Sequence, residues 1–365
     1  MIEISLCMIV RDEEKSLPRC LASVEGLADE IIIVDTGSAD RTKEIAGAYG
    51  AVIYDFTWID DFSAARNFAF SKATRDYIFW LDADDYLREE DQAVFRELKS
   101  SLPEQVDSVN MQYNLAFDGE GRVTTSLRRN RLVRRSCGFR WIGPVHEYLE
   151  VYGPSLASTV CVTHEKDKAY TDRNLRIYRK RAAEGESFSA RDQYYYANEL
   201  RDHGIHREAC RYYELFLSGG QGWIEDNIQA CLRLAECLEA LGDKEAAFTA
   251  VTRTLQYDAP RAEGCCRLGG WHLDKGQLHP AIYWFELALQ LPGQAESMAM
   301  KNEAFATWIP NLQLALCYDR LGQHERANRY NETALLHSPG HPSMLYNRNY
   351  FQKLLGDNYV SLQQP

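Results

Sequence analysis

The sequence has no C-x-x-C pair among its ten cysteines, which are scattered from position 7 to position 317. That excludes the common dithiol and zinc-ribbon motifs and leaves no disulfide framework to read. Reduced thiols packed in a core, and with them a cytoplasmic chain, are the expectation. No apolar run approaches the length of a membrane span. The stretch Met1 to Val10 lacks a basic segment and runs straight into a strand-like pattern, so no secretory leader is expected there. Positive charge is in deficit: 41 Lys and Arg stand against 53 Asp and Glu, a net charge of -12. Like charge repels phosphate at long range, which argues against a nucleic-acid partner and an anionic membrane surface. A small phosphorylated ligand held by local groups stays open. What is present is ordinary for a globular chain. There are 365 residues, 45% hydrophobic and 26% charged, enough for two domains whose cores need no staples.

Two halves read differently. Up to about Thr163, strand-like and helix-like segments alternate. Ile4–Val10 (ISLCMIV) is a short apolar run, and Lys15–Val24 carries Leu17, Leu21 and Val24 at helical spacing. Ile31–Asp35 (IIIVD) is β-branched and almost wholly apolar, as a strand covered on both faces must be. Asp40–Tyr49 reads as a helix with Ser38 or Asp40 as its cap, followed by a strand at Ala51–Tyr54, a helix at Ser63–Ala73 and a strand at Tyr77–Leu81 (YIFWL). Such alternation predicts an α/β domain with a parallel, doubly wound sheet, whose ligands sit at the carboxyl ends of the strands.

From about Arg191 onward the pattern is helical and repetitive. Gly204, Gly242, Gly276 and Gly322 are each followed five residues later by an alanine: Ala209, Ala247, Ala281 and Ala327. Small residues there are expected to let two antiparallel helices pack closely, and Pro260, Pro292 and Pro339 to close units. The glycine spacings of 38, 34 and 46 residues resemble the tetratricopeptide repeat, with an insertion around Gly293–Asn302. The predicted organisation is a sheet domain over 1–166, a charged connector over 167–190 and an all-α helical repeat domain of about four units over 191–365.

Several groups could carry chemistry. Asp82–Ala83–Asp84–Asp85 follows the buried strand YIFWL directly, placing three carboxylates in four positions. A divalent cation such as Mg²⁺ or Mn²⁺ would relieve their repulsion; an acidic turn capping the next helix is the alternative. Asp35 ends a buried strand at the ligand edge. Arg66 lies on a helix otherwise small and apolar, where it pairs with a carboxylate or reaches a ligand. His146 and Glu147 follow Trp141 and a Gly143–Pro144 turn and form an acid–base candidate. His164 ends another apolar run. The basic stretch Arg128–Arg135 (RRNRLVRR) is either a solvated loop or charge compensation for a diphosphate.

In this order the motifs ISLC with RDEE, VDTGSADRT, FSAARNFAF, FWLDADD and WIGPVHE resemble the nucleotide-sugar glycosyltransferases of the GT-A fold, and more narrowly the inverting type-2 family. The likeness covers about residues 2–166. With a tetratricopeptide-like tail, the chain is similar to bacterial glycosyltransferases that modify ribosomal peptides, such as the glycocin S-glycosyltransferases. Similar two-part chains occur among enzymes of cell-surface glycan assembly. The resemblance implies a UDP-sugar donor and Mn²⁺ or Mg²⁺. It implies that Ile9, Val10, Arg11 and Glu13 cradle the nucleotide, that Asp35 binds uracil, and that Arg66 contacts the base or diphosphate. Asp82, Ala83 and Asp84 would form the D-x-D motif, with Asp84 the direct metal ligand, Asp82 beside it and His164 completing the set. Where the family places an acidic pair over the acceptor, this chain has His146–Glu147, with Glu147 the favoured base. A peptide or protein acceptor, or a second copy of the chain, would lie against the helical repeats, where Trp223, Trp271 and Trp308 either line a groove or pack in the core. A non-catalytic scaffold with a sugar-nucleotide sensor domain is the alternative outside enzymology.

Overall fold

The computed structural model describes residues 1–165, 171–291 and 301–362. The chain divides into two compact units. One gathers Met1–Phe117 and Thr125–Glu184; the other takes Asp118–Thr124, the helices that follow Gly185, and the residues from Asn302 on.

The first unit is built on a sheet. Strands β1 (Ile4–Val10), β2 (Glu30–Asp35), β3 (Val52–Asp55) and β4 (Tyr77–Trp80) run parallel, as the alternation predicts. Successive side chains of a strand point to opposite faces, and β1 feeds two cores in this way. Ile4, Leu6, Met8 and Val10 pack with Leu17 and Leu21 of α1 (Leu17–Ser23), while Cys7 packs with Ile32, Val34 and Ala69. After α2 (Thr42–Ala48), helix α3 (Phe62–Lys72) covers the Cys7 face, and α4 (Glu89–Ser101) brings Phe95 to the other. The sheet is thus wound on both sides.

Beyond β4 the all-parallel expectation fails. Strands β5 (Asp85–Tyr86), β6 (Ser108–Phe117) and β7 (Val123–Arg134), with β10 (Ser155–His164), extend the sheet in the order β3-β2-β1-β4-β7-β6-β10-β5. β7 is antiparallel to β4, and β5 is antiparallel to β10. A short turn at Asp118–Gly121, rather than a crossover helix, joins β6 to β7, and parallel neighbours need a long crossover. β8 (Arg140–Ile142) and β9 (Tyr148–Glu150) form a separate antiparallel pair. The basic stretch Arg128–Arg135, weighed as a solvated loop, lies mostly in β7.

Two local expectations are corrected. Ser38 does not cap α2; the N-cap position is Arg41, and it is Asp40 Oδ1 that accepts the N–H of Thr42, the first residue of the helix, at 2.9 Å. Ser38 Oγ accepts the Asp12 N–H at 2.9 Å and Asp40 Oδ2 accepts the Glu14 N–H at 3.0 Å, so these side chains fasten the β1–α1 loop to the loop after β2. The segment read as a connector carries helix α5 (Arg173–Ala183), which belongs to the first unit. Its apolar residues Leu175, Ile177 and Tyr178 are buried, which charge content alone concealed.

The second unit is helical. Its helices pack in consecutive pairs: α6 (Ala190–Asp202) with α7 (His206–Gly219), α8 (Ile224–Ala240) with α9 (Lys244–Arg253), α10 (Ala262–Asp274) with α11 (Leu278–Gln290), and α12 (Trp308–Arg320) with α13 (His324–His337); α14 (Pro342–Leu355) follows. The four repeated alanines are buried at the start of the second helix of each pair. The four glycines act otherwise than expected. Each sits in the inter-helix turn at a φ between 72° and 86°, with no atom within 4 Å of a built Cβ, so the turn selects glycine for its left-handed backbone. Pro292 and most of the expected insertion at 293–302 lie outside the described residues. Trp223 is half exposed, Trp271 stacks on Phe248 at 4.1 Å, and Trp308 packs against the cluster of Ala334, Leu335 and Met344.

Candidate active site

The carboxyl ends of the parallel strands gather most of the residues singled out by sequence. β4 is buried along its whole length, and the chain then turns sharply through Asp82, Ala83, Asp84 and Asp85. The Asp82 carbonyl accepts the Asp85 N–H, and Asp85 Oδ2 accepts the Asp82 N–H, both at 3.0 Å. Three carboxylates this close repel one another, and the fold treats each differently.

Asp85 is fully buried. Its Oδ2 lies 3.0 Å from Nη1 of the equally buried Arg131, and its Oδ1 accepts the Tyr113 hydroxyl at 2.8 Å. Arg131 comes from β7, with its guanidinium over the Trp80 and Tyr113 rings at 4.0 and 4.3 Å. Asp82 is held by Arg66 of α3, whose Nη2 donates to its Oδ1 at 2.7 Å. Burial opposes the Asp82 charge, but Arg66 and Arg131 outweigh it and keep the carboxyl well below the usual carboxylate range. Asp84 faces His164 instead, with Oδ1 at 3.5 Å from Nδ1. Burial pushes the Asp84 carboxyl up to about 6, with Asp82 and Asp85 adding to the rise and His164 opposing it.

His164 closes β10. Its Nδ1 lies 3.0 Å from the Tyr113 hydroxyl and 3.2 Å from Asp85 Oδ1. Burial disfavours the imidazolium, but the Asp85 bond and the charge of Asp84 outweigh it and raise the His164 pKa. Asp84, Asp85 and His164 each offer a ligand atom within 4.8 Å of the others. Two carboxylates and an imidazole in a site crowded with negative charge fit a hard divalent cation. Asp82, expected as a ligand, is tied to Arg66, and Asp85 stands in its place within this cluster.

Arg66 has a second partner. Its Nε donates to Glu147 Oε1 at 2.6 Å, so one guanidinium joins the acidic turn to the His146–Glu147 segment. Arg66 is buried, with the rings of Trp80 and Trp141 at 5.1 and 4.8 Å from its centre. The Asn67 side chain fixes that segment by donating to the Trp141 carbonyl and accepting its N–H, both at 2.9 Å. His146 has a φ of 50° and stacks at 17° on the Tyr178 ring, 6.3 Å away.

These groups line a cavity of about 810 Å³. Ile9, Val10, Arg11 and Glu13 form its wall at the end of β1, and Asp82, Ala83 and Asp84 its wall at the end of β4. Arg66, His146, Glu147 and His164 line it as well. Asp35 does not; Thr36 beside it does. Asp35 is buried with Oδ1 accepting the Gly37 and Ser38 N–H groups at 2.9 Å, while Oδ2 has no hydrogen-bond partner among the described residues. Trp58, Phe62, Arg129, and Thr171, Asp172, Arg173, Asn174 and Arg176 at and just before the start of α5 complete the lining; of these, Arg129 had been weighed only as part of the basic stretch. Arg129 could have been singled out inside the basic stretch by strand alternation. The α5 residues carry no local signal, because their place depends on how that helix packs.

Residues 5–153 match the family model described as Glycosyl transferase family 2. A TPR repeat-containing protein of Synechococcus elongatus is 45% identical over 150 residues, 41% of this chain and 36% of its own length. The SPbeta prophage-derived glycosyltransferase SunS of Bacillus subtilis is 30% identical over 152 residues, 41% of this chain and 35% of its own. An uncharacterized glycosyltransferase of Rickettsia typhi is 35% identical over 90 residues, 25% of this chain and 30% of its own. The matched region thus spans about a third of the length of these curated relatives. Among solved structures, the TPR protein YrrB is similar at 21% identity, covering 49% of this chain and 83% of that one, with a TM-score of 0.37.

Proposed function

We propose, from the premise that residues 5–153 are a glycosyltransferase family 2 domain, that the chain is a metal-dependent inverting glycosyltransferase. It moves a hexose or N-acetylhexosamine from a UDP-sugar to a cysteine thiol or a serine or threonine hydroxyl of a peptide acceptor. The observation that carries this reading is the division of labour on the acidic turn. Arginines pair with Asp82 and Asp85, and Asp84 is left beside His164 on the cavity lining with its charge raised in energy by burial. That is the state of a carboxylate that gains from a cation.

Asp84 and His164, with Asp85 behind them, would hold Mn²⁺ or Mg²⁺. When bound, such an ion neutralises charge growing on a departing diphosphate. The chain's own groups do the rest. The β1 end, from Ile9 to Glu13, borders the nucleotide. The resemblance assigns uracil to Asp35, which sits beside the cavity residue Thr36 and whose buried Oδ2 has no hydrogen-bond partner among the described residues. Arg66 fixes the distance between the donor side and the acceptor side by holding Asp82 and Glu147 together. The acceptor atom attacks the anomeric carbon as UDP leaves from the opposite face, and a group at His146–Glu147 takes the proton. A thiol acceptor needs little such help, because its pKa lies near 8.5. The helical repeats are the proposed acceptor-holding surface, a role that TPR-like units fill through stacked helix pairs.

The test is Asp84→Ala, read by release of UDP from UDP-sugars with and without Mn²⁺. Metal-dependent release should fall by roughly 10²-fold or more, the scale of removing one transition-state electrostatic contact, with the thermal unfolding profile kept. Release at the unsubstituted rate removes the assignment of the turn.

A further inference from the structure

We propose that Arg129 of β7 binds an oxyanion of the substrate, through a pair of phosphate or carboxylate oxygens, and that it does so alongside the acidic turn rather than through it. This rests on the glycosyltransferase reading above and deepens it.

The other charged groups of the cavity are for the most part matched by the chain itself. Arg66 meets Asp82 and Glu147. Arg176 lies 3.3 Å from Asp172, and Arg11 lies 3.9 Å from Asp12. Arg129 lines the same cavity, yet among the described residues its guanidinium makes no hydrogen bond and no ion pair. Arginine stays protonated in proteins and presents five N–H donors. A permanent cation with its donors unplaced thus borders the cavity of a chain whose net charge is -12.

Aromatic rings hold Arg129 in place. Its Cζ lies 5.1 Å from the centre of the Tyr113 ring and 6.0 Å from that of Trp80. A ring beneath a guanidinium attracts its charge without engaging its N–H groups. Arg131, two residues on, stands over the same two rings. Alternate residues of a strand share a face, but the two arginines differ in depth. Arg131 is fully buried and faces Asp85, whereas Arg129 is only partly buried. β7 is antiparallel to β4, with Phe79 opposite Leu132, so Arg129 stands toward the end of β4 where the acidic turn begins. Its charge also reaches Asp82. There burial opposes the carboxylate, Arg66 and Arg131 favour it most, and Arg129 adds to them. Asp82 already has its direct partner in Arg66, so this long-range help leaves the donors of Arg129 unused.

The planar guanidinium fork matches two oxygens of a phosphate or a carboxylate. Two substrate groups offer that chemistry: the diphosphate of the donor and an acidic side chain of the acceptor peptide. The geometry favours the diphosphate. The Tyr113 side chain whose ring lies under Arg129 also reaches the cation-fitting cluster, for its hydroxyl donates to Asp85 and lies 3.0 Å from His164 Nδ1. Arg129 and that cluster therefore flank one side chain. A diphosphate has more oxygens than one cation can take, and the fork supplies a second hold that does not depend on the metal.

The experiment is calorimetric titration of the full chain with UDP, in Mn²⁺ and in EDTA. It is joined by transfer to two short peptides, one with acidic residues beside its cysteine and serine and one without. Arg129→Gln should weaken UDP binding roughly tenfold or more in both conditions, the scale of hydrogen bonds to a charged group. Arg129→Lys keeps the charge near Asp82 without the fork, and should recover only part of the loss. Thermal unfolding of both variants should match that of the unsubstituted chain. Where Arg129→Gln is unstable, Arg129→Lys carries the test, and UDP bound by it as tightly as by the unsubstituted chain overturns the proposal. UDP affinity kept by Arg129→Gln, with a preference for the acidic peptide lost in KM, places the oxyanion on the acceptor. UDP affinity and peptide preference both unchanged in Arg129→Gln overturn the proposal. So does an Asp82→Asn chain in which Arg129→Gln has no further effect on UDP, because Arg129 then acts only as a counter-ion for Asp82. Failure of the unsubstituted chain to bind UDP even with Mn²⁺ is a different result: it removes the glycosyltransferase reading itself, and this inference with it.

Discussion

Arg131 shows how much of the site is decided by single buried side chains. It is fully buried on β7, its Nη1 faces Asp85, and its Nε and Nη2 have no hydrogen-bond partner among the described residues. A buried ion pair is rarely a source of net stability, but breaking it from one side is costly. Arg131→Met should therefore destabilise the protein by about 3–5 kcal/mol in denaturant unfolding, because Asp85 keeps its charge without a counter-ion. The double variant Arg131→Met with Asp85→Asn should recover most of that loss, and a double variant as unstable as the single one would refute the pairing argument. The sequence announced the acidic turn, since a buried strand followed by three acids is visible in one dimension. It did not announce which acid each arginine serves. Asp82 meets Arg66 from α3 and Asp85 meets Arg131 from β7, and both partners arrive through tertiary packing. The same holds for Glu147, whose 2.6 Å contact to the buried Arg66 no sequence pattern announces.

At the scale of elements, periodicity was the readable part. The parallel strands, the helices between them and the paired helices of the second unit all carried their signal in local pattern. The antiparallel half of the sheet did not, because hairpin and crossover connections differ only in what joins the strands. Glycine makes the distinction concrete within one helix pair. Gly276 ends the turn between α10 and α11 at a φ of 72° with open space around a built Cβ. Gly269, inside α10, has ordinary backbone, and a built Cβ there would lie 2.7 Å from the Phe285 ring of α11. The same substitution therefore fails for two reasons. Gly276→Ala should cost about 1–2 kcal/mol from the left-handed backbone alone, and Gly276→Asn less. Gly269→Ala should cost about 1–3 kcal/mol from overpacking, and Phe285→Leu in the same chain should offset part of it. If Phe285→Leu rescues Gly276→Ala to the same degree, the two causes are not distinct.

For the whole molecule, the useful fact is that every residue lining the cavity belongs to the first unit, while the second unit has its own buried clusters. A ligand stabilises what it binds by mass action, about 2.7 kcal/mol at a hundred times its dissociation constant. Chains with two cores commonly unfold in more than one step. Calorimetry should then show two transitions, and saturating UDP with Mn²⁺ should raise one of them by about 5–10 °C, given about 2–4 °C per kcal/mol for units of this size. The Asp84→Ala chain should lose that shift while keeping both transitions, since Asp84 is a cavity residue and not a core one. Chelation of the metal should do the same to the unsubstituted chain. A shift that survives both treatments would mean that UDP is held without the acidic turn. In that case Asp84, its charge raised by burial beside His164, would have to be read as an intramolecular hydrogen-bonding group and nothing more.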